Sequence, residues 1–561
     1  MSPPAQPAAI QPAAASSPAA LRGADIVART LEAQGVSRIY SLSGNHIMPI
    51  YDALLETDIE LVHVRQEAAC VHMADAHGRL TGEVGVALVT GGQGQSNGAA
   101  ALFTALAGES PVLLLSGHAG LNELGRGAFQ EMDQEAVARP MAKASWTVSS
   151  AETLGADIVR AMRIAREGRP GPVHLSLPVD LLDQNLDAEP AILLAPERSG
   201  ESAPPDLAAT IAGHLERAQR PLILCGPAMC SPQGRIAMAA LEKARGVPVI
   251  GMESPRGIND PGLGAFAEVL AQADLIVLLG KALDFTLRFG EAPVIHTDCD
   301  FIVVDPDSEI AARVRKARSN QPVLRAVTDA HAVAAGLADL PPAEPDRHSS
   351  WREEVSRALA YIPLDWQQAK GGSGRVHPVE LCDAVQGFLA KHPDGTLVCD
   401  GGEIGQWPQA LVKAKRRLVN GVSGTIGASI PFAIAARMLR PDAPVVAVLG
   451  DGTFGFHMAE FDTAVRCGVP FIAVVGNDAR WNAEHQIQLR NYGAARTNNC
   501  DLLPARYDEV VRALGGFGVL VTDAADLPAA LEAAHASGKA ACINVMIESV
   551  PAPVIRRPKA G

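Results

Sequence analysis

From Ile26 onward the apolar positions of this chain follow two alternating rhythms. In "IVARTLEAQGV" they recur at helical spacing, whereas "ELVHVR", "GVALVTGG" and "PVLLLSG" are short apolar runs bounded by turn residues. "EAACVHMADAHGRL" returns to the helical period. Strands alternating with helices predict a parallel sheet covered on both faces, and this first unit closes near "GPVHLSLPVDLL". The rhythm restarts with "RPLILCG", "VPVIG", "ADLIVLLG" and "FIVVD", and again with "TLVCDGG", "PVVAVLGDG", "PFIAVVGND" and "ACINVMI". The fold class predicted is α/β, with three doubly wound parallel-sheet domains at 23–190, 207–345 and 376–552. A linker at 191–206, a helical connector at 346–375 and tails at 1–22 and 553–561 separate and flank them. A chain of 561 residues has room for three such cores.

Composition narrows the class. A formal charge of −14 without a block of Lys and Arg argues against a nucleic-acid surface, and the short basic run Lys413–Arg417 reads as a solvated face. Nine scattered cysteines without a C-x-x-C pair argue against a disulfide framework or zinc site and fit a reducing cytoplasm. The first twenty residues, rich in Pro, Ala and Ser, lack a basic start and a continuous apolar core. They read as a disordered tail, neither signal peptide nor membrane span.

The chemistry concentrates where "PVVAVLGDGTFGF" runs a buried strand into Gly450-Asp451-Gly452. "PVVAVLGDG", the helical "HMAEFDTAVRCG" and "PFIAVVGND" form one β-α-β unit. Its right-handed crossover makes the strands parallel and brings both carboxyl ends to one sheet edge. Asp451 and the pair Asn477-Asp478 are therefore predicted to meet, although Asp478 lies 27 positions later. Two side-chain oxygens on one edge, with loop carbonyls, phosphate and water, make a Mg²⁺ shell. Gly450 and Gly452 let a phosphate approach the backbone near a helix N-terminus.

G-D-G followed after 24 residues by Asn477-Asp478 resembles the cofactor signature of the thiamine diphosphate enzyme superfamily, with Asp478 where many members carry asparagine. The resemblance implies Asp451, Asp478 and the Arg480 carbonyl as metal ligands, with Thr453 near the diphosphate. "VRQEAACVHMADAHGR" is similar to the family's R-x-E segment and implies Glu67 as the carboxyl that touches the cofactor's pyrimidine ring and supports proton removal from the thiazolium carbon. "NGVSGTIGASIPFAIAA" is similar to the wedge segment, with Ile426 as wedge and the Gly424 carbonyl facing the pyrimidine amino group. "DGGEIGQW" implies diphosphate contacts through Gly402 and Glu403. The three units become pyrimidine-binding, middle Rossmann-like and diphosphate-binding domains. A site shared between two chains, in a homodimer or homotetramer, is implied because Glu67 and Asp451 lie in different domains.

Coverage of residues 23–550 is similar to the acetolactate synthase-like branch, in which "GRGAFQEMDQEAVARPMAKASW" places Gln130 near the cofactor. "GKALDFTLRFGEAP" resembles 2-hydroxyacyl-CoA lyases and benzaldehyde lyase more than the FAD-containing synthases, which argues against FAD. His46, in "GNHI", falls where such lyases carry a histidine able to relay a hydroxyl proton. Trp481 and Glu484 are expected beside the substrate channel. The middle domain is where ADP or the CoA moiety is implied to sit. The expectation is a thiamine diphosphate- and Mg²⁺-dependent lyase or carboligase acting on 2-hydroxyacyl-CoA or 2-hydroxyketone substrates. Acetolactate formation from pyruvate is the alternative within the family. Two readings of other classes are a serine hydrolase, because Gly94-Gln95-Ser96-Asn97-Gly98 matches G-x-S-x-G, and a non-catalytic cofactor-binding homologue. Gly92-x-Gly94 has Asn97 where a dinucleotide fingerprint needs its third glycine.

Overall fold

Each predicted apolar run becomes a strand of one of three parallel sheets. The structure is a computed structural model and describes residues 21–186, 203–317, 322–344 and 346–558. In the first domain β1 (Arg38–Ser41), β2 (Glu60–His63), β3 (Gly85–Val89), β4 (Val112–His118), β5 (Ala144–Thr147) and β6 (Pro172–Pro178) pair in the order β2-β1-β3-β4-β6-β5. In the second, β7 (Pro221–Cys225), β8 (Val249–Gly251), β9 (Leu275–Leu279), β10 (Asp300–Val304) and β11 (Leu324–Ala326) run β11-β10-β9-β7-β8. In the third, β12 (Thr396–Cys399), β13 (Arg416–Val419), β14 (Val445–Gly450), β15 (Ile472–Asn477), β16 (Phe517–Val521) and β17 (Ala541–Met546) run β13-β12-β14-β15-β17-β16. Strands such as β3, β4 and β9 are buried along their whole length because helices cover both faces.

Short or mixed-polarity strands were not among the runs picked from the sequence: β1, β5, β11, β13 and β16. The run Lys413–Arg417, expected to be a solvated face, leads into β13 instead. Arg417 is largely buried and its Nε donates to Glu253 at 2.9 Å. A carboxylate from the middle domain makes that burial tolerable.

The boundaries also shift. Arg22, assigned to the tail, bridges to Asn185 and pairs with Asp25 and Asp52; residues 1–20 of that tail and most of the linker lie outside the described residues. The connector's helix Ser349–Leu359 belongs to the middle domain, since Trp351, Val355 and Ala358 enter its core and Trp351 Nε1 donates to Pro221 O at 2.9 Å. Residues 553–558 lie against that domain, with Arg557 held by Glu268 and Glu354.

The first and third domains share a core. The helix Glu67–Thr81 packs on the helix Ser429–Leu439, where His72 meets the Phe432 ring edge-on at 5.9 Å. Each fully buried residue of the size of Phe432 contributes about 1.5–3 kcal/mol. Arg79 crosses the same seam, over the Phe432 ring at 5.2 Å and onto Val419 O at 3.0 Å. Among the described residues no helix is long and apolar enough to cross a membrane.

Candidate active site

Parallel pairing of β14 with β15 sets Gly450 opposite Gly476. The two chain segments therefore leave the sheet side by side, as the crossover argument requires. Asp451 is the first residue of the helix Asp451–His457 and is 2% exposed. Its Oδ2 accepts the Arg480 N–H at 3.2 Å. Between them Ala479 adopts a left-handed φ of 57°, and its N–H is held by Asn477 Oδ1 at 3.2 Å. This bend turns Asp478 back toward Asp451.

Burial pushes the Asp451 carboxyl up to about 6. Burial and then the charge of Asp451 push Asp478 up to about 7, against a hydrogen bond from Ser549. Like charges held together out of water disfavour double ionisation, and the Arg480 guanidinium, whose Nε is bound to Asp501 at 2.8 Å, offsets this only in part. A divalent cation is the group this pair fits. No cluster of three or more His, Cys, Asp or Glu residues suited to a metal occurs among the described residues. Two carboxylates completed by a carbonyl, phosphate and water suit Mg²⁺, which retains water and phosphate ligands.

A cavity of about 220 Å³ opens beside the pair. Gly450, Gly452, Thr453 and Arg480 line it at the sheet edge, and Gly402, Glu403, Gly424 and Ile426 line the facing side. Gly452 is required there: a Cβ would come within 2.8 Å of the Trp481 ring, which with Glu484 also lines the cavity. The Thr453 hydroxyl is shared with Gly450, accepting its N–H at 3.1 Å and donating to its carbonyl at 3.0 Å. Ile426 Cγ2 rests on Gly401, where a Cβ would sit at 2.6 Å. Asp400, not singled out in the sequence, joins the two glycine loops by accepting N–H groups of Gly401, Gly427 and Ser429 at 2.7, 2.9 and 3.3 Å.

Asn477 is the member of the predicted set that faces elsewhere. It is fully buried, and its Nδ2 donates to Ala505 O and Asn544 Oδ1, both at 3.1 Å. It is not among the residues lining the cavity. Strand alternation explains this, since neighbours on an extended chain point to opposite sides. Asn477 shapes the loop that Asp478 uses.

The first-domain candidates gather around residues 90–97, the turn after β3 and the first residues of the helix Gln93–Ala107. Glu67 opens its helix, and its Oε2 accepts Asn97 Nδ2 at 3.1 Å. His46 is 4% exposed, with Nδ1 3.4 Å from Thr90 Oγ1 and its ring stacked on Phe129 at 5.9 Å. Burial, then the nearby His118, lowers its pKa, so it is neutral at pH 7. Gln130, at φ 56°, lies against Gly92. Buried Gln134 braces this loop: its Oε1 accepts Gly92 N–H at 2.6 Å while its Nε2 donates to Ser116, Gly117 and Ser176. The only sequence cue for it was an amide within an otherwise amphipathic stretch. None of Glu67, His46 and Gln130 lines the third-domain cavity.

Ser96 does not form a nucleophile elbow. It lies inside the helix Gln93–Ala107, past the strand-to-helix turn, and its Oγ donates to Gln93 O at 3.0 Å. An elbow serine sits on the turn itself with its hydroxyl free for a base.

Comparison with known proteins gives two family matches. The thiamine pyrophosphate enzyme N-terminal TPP binding domain covers residues 21–137, and the thiamine pyrophosphate enzyme C-terminal TPP binding domain covers residues 400–545. The chain is 32% identical over 536 residues to a probable acetolactate synthase of Mycobacterium bovis, covering 93% of this chain and 95% of that one. It is 31% identical over 562 residues to 2-hydroxyacyl-CoA lyase 2 of Homo sapiens, covering 89% and 85%. An acetolactate synthase of Bacillus subtilis is 28% identical over 522 residues, covering 88% of each.

Proposed function

This chain belongs to the thiamine pyrophosphate-dependent enzymes, and from that premise we propose that it cleaves or forms a carbon–carbon bond beside a carbonyl, acting on 2-hydroxyacyl-CoA or 2-hydroxyketone substrates. The observation that carries the cofactor site is the convergence of Asp451 and Asp478 at two adjacent parallel strand ends. Mg²⁺ would be held by these carboxylates and the Arg480 carbonyl. Gly402, Gly450, Gly452 and Thr453 would receive the diphosphate, and Ile426 and Gly424 the far end of the cofactor. When bound, thiamine diphosphate supplies a nucleophilic carbon and an electron sink.

The protein's own part is to place charge and protons. Glu67, oriented by Asn97, offers a carboxyl group to the cofactor ring. His46, kept neutral by burial, accepts the proton of the substrate hydroxyl as the carbon–carbon bond breaks and returns it in the reverse direction. Gln130, beside Gly92, orients the carbonyl partner. Separation of the Glu67 group from the Asp451 cavity within one chain supports a site completed by a second copy, in a homodimer or larger assembly.

FAD is dispensable in this reading. The middle sheet changes direction between β7 and β9, the place where an open parallel sheet takes a nucleotide. Arg169 of the first domain fills that place, paired with Glu109 and Asp305 and donating to Gly280 O at 3.2 Å, and only about 20 Å³ of cavity remains.

Acetolactate formation is the second reading, favoured by the relatives of that name. A donor panel decides between them: pyruvate, benzoin and a 2-hydroxyacyl-CoA, each with and without thiamine diphosphate, Mg²⁺ and FAD. The expected result is cofactor-dependent, FAD-independent cleavage of benzoin or the thioester. Rapid acetolactate production from pyruvate would replace the lyase reading.

A further inference from the structure

A second groove, of about 410 Å³, leads outward from the cofactor cavity, and the two share Arg256 and Glu403 as lining residues. Its other residues include Leu489, Arg490, Pro551 and Val554. The wall formed by the C-terminal segment is fixed in place: Asn482 Nδ2 donates to Val550 O at 2.8 Å, and Ala552 N–H donates to Glu403 Oε2 at 3.1 Å. Beyond it, Arg557 is anchored on Glu268 and Glu354. The groove is thus a built feature joining four parts of the chain: the loop after β8, the loop after β12, the helix Asn482–Tyr492 and the segment after β17.

Its charges are unequal. Glu403 lies 3.7 Å from the Arg256 guanidinium and attracts Arg490 through space, so one carboxylate serves two cations. Arg490 is exposed and forms no ion pair among the described residues. Leu489, Pro551 and Val554 supply an apolar strip alongside.

We propose that this groove receives the phosphate-bearing arm of an acyl-CoA whose reacting end lies in the cofactor cavity, with Arg490 and Arg256 meeting the phosphates and the apolar strip meeting the arm. The proposal rests on the lyase reading and specifies where its substrate binds. Guanidinium groups recognise phosphate oxygens through paired donors. Two other openings fit less well. The crevice of the middle sheet is filled by Arg169. A larger cavity of about 450 Å³ between the domains shares no lining residue with the cofactor cavity, and its Arg79, Arg166, Arg235 and Arg417 are each committed to carboxylates. The CoA arm therefore belongs at the mouth of the active site, not in the middle domain.

Calorimetric titration of free CoA into the holoenzyme loaded with thiamine diphosphate and Mg²⁺ tests this, using the wild type, Arg490→Gln and Arg490→Lys. The expected result is binding by the wild type, weakened about tenfold or more in Arg490→Gln and only partly recovered in Arg490→Lys, which keeps the charge but not the paired donors. In parallel, the ratio of kcat/KM for a 2-hydroxyacyl-CoA to that for benzoin should fall by a similar factor in Arg490→Gln. Failure of the wild type to bind CoA, or equal binding by Arg490→Gln, overturns the proposal. If benzoin is still cleaved in that event, the lyase reading stands without it. Arg490-dependent CoA binding in an enzyme that cleaves neither substrate supports the groove and removes the lyase reading instead.

Discussion

The buried carboxylate of Glu460, in the third domain, accepts the backbone N–H of Arg65, in the first, at 3.0 and 3.2 Å. It also binds the Gln66 N–H and the Thr463 hydroxyl. These amides immediately precede Glu67, while Glu460 opens the helix that follows the one begun by Asp451. The segment that carries Asp451 therefore fixes the start of the helix that carries Glu67. Glu460→Ala should strip these buried donors of their acceptor and cost about 2–3 kcal/mol. Glu460→Gln, which keeps one acceptor oxygen, should recover part of it. Denaturant unfolding of the three proteins checks the order, and equal stability of the alanine variant would count against the account.

Asp478→Asn should weaken Mg²⁺ binding in the presence of thiamine diphosphate by about tenfold, because it removes one of two charges that face the cation. Asp451→Asn should weaken it further, since Asp451 also takes the Arg480 N–H. A Mg²⁺ titration of cofactor-dependent fluorescence quenching measures both. Unchanged or tighter binding in Asp478→Asn would reject the electrostatic reading.

His46→Ala should retain cofactor binding and lose turnover by about 10²-fold, the usual scale for a lost acid–base group. The Thr90 loop that it touches keeps its other support through Gln134. Calorimetry with thiamine diphosphate and steady-state turnover separate binding from chemistry, and full turnover would remove His46 from the mechanism.

Buried histidines make the fold acid-sensitive. Burial lowers His174 to about 3 and His77 to about 4, from an ordinary value of 6.5. Between these values and 6.5 the unfolded chain binds more protons than the folded one, so stability present at neutral pH is lost as pH falls below about 6.5. His174 bridges Ser116 at 2.7 Å and Ser145 at 2.8 Å across β4, β6 and β5. His174→Gln, which cannot acquire a proton there, should lower stability at pH 7.5 and reduce the loss between pH 7 and 5. A thermal melt series over that range tests the slope.

Ser96→Ala should leave turnover unchanged, and a fluorophosphonate should not label the wild type, because the hydroxyl is spent on the Gln93 carbonyl within its helix. Covalent labelling at Ser96 would reopen the hydrolase reading.

Much of the cofactor site was legible because parallel β-α-β topology leaves few choices. Two apolar strands joined by one helix must end on the same edge, so the meeting of Asp451 with Asp478 followed from pattern alone. Adjacency in a motif says nothing about which side of the strand end a residue takes, and Asn477 turns inward to Asn544. Asp400 went unnoticed because its importance lies in joining its own loop to the amides of Gly427 and Ser429, nearly thirty positions later.

Charged residues show the same limit. Arg417, in a basic run, reads as a solvated residue by sequence but lies beside Glu253 of another domain, and Arg169, which no sequence motif marks, fills the middle sheet's crevice. By itself the sequence determined three parallel α/β domains and the strand ends that bring Asp451 and Asp478 to one sheet edge, since these follow from local periodicity and the handedness of the crossover. Tertiary structure alone decided which charges are buried, that Glu67 does not line the cavity beside Asp451, and where a second groove opens. Those depend on contacts between residues tens to hundreds of positions apart, which no local pattern encodes.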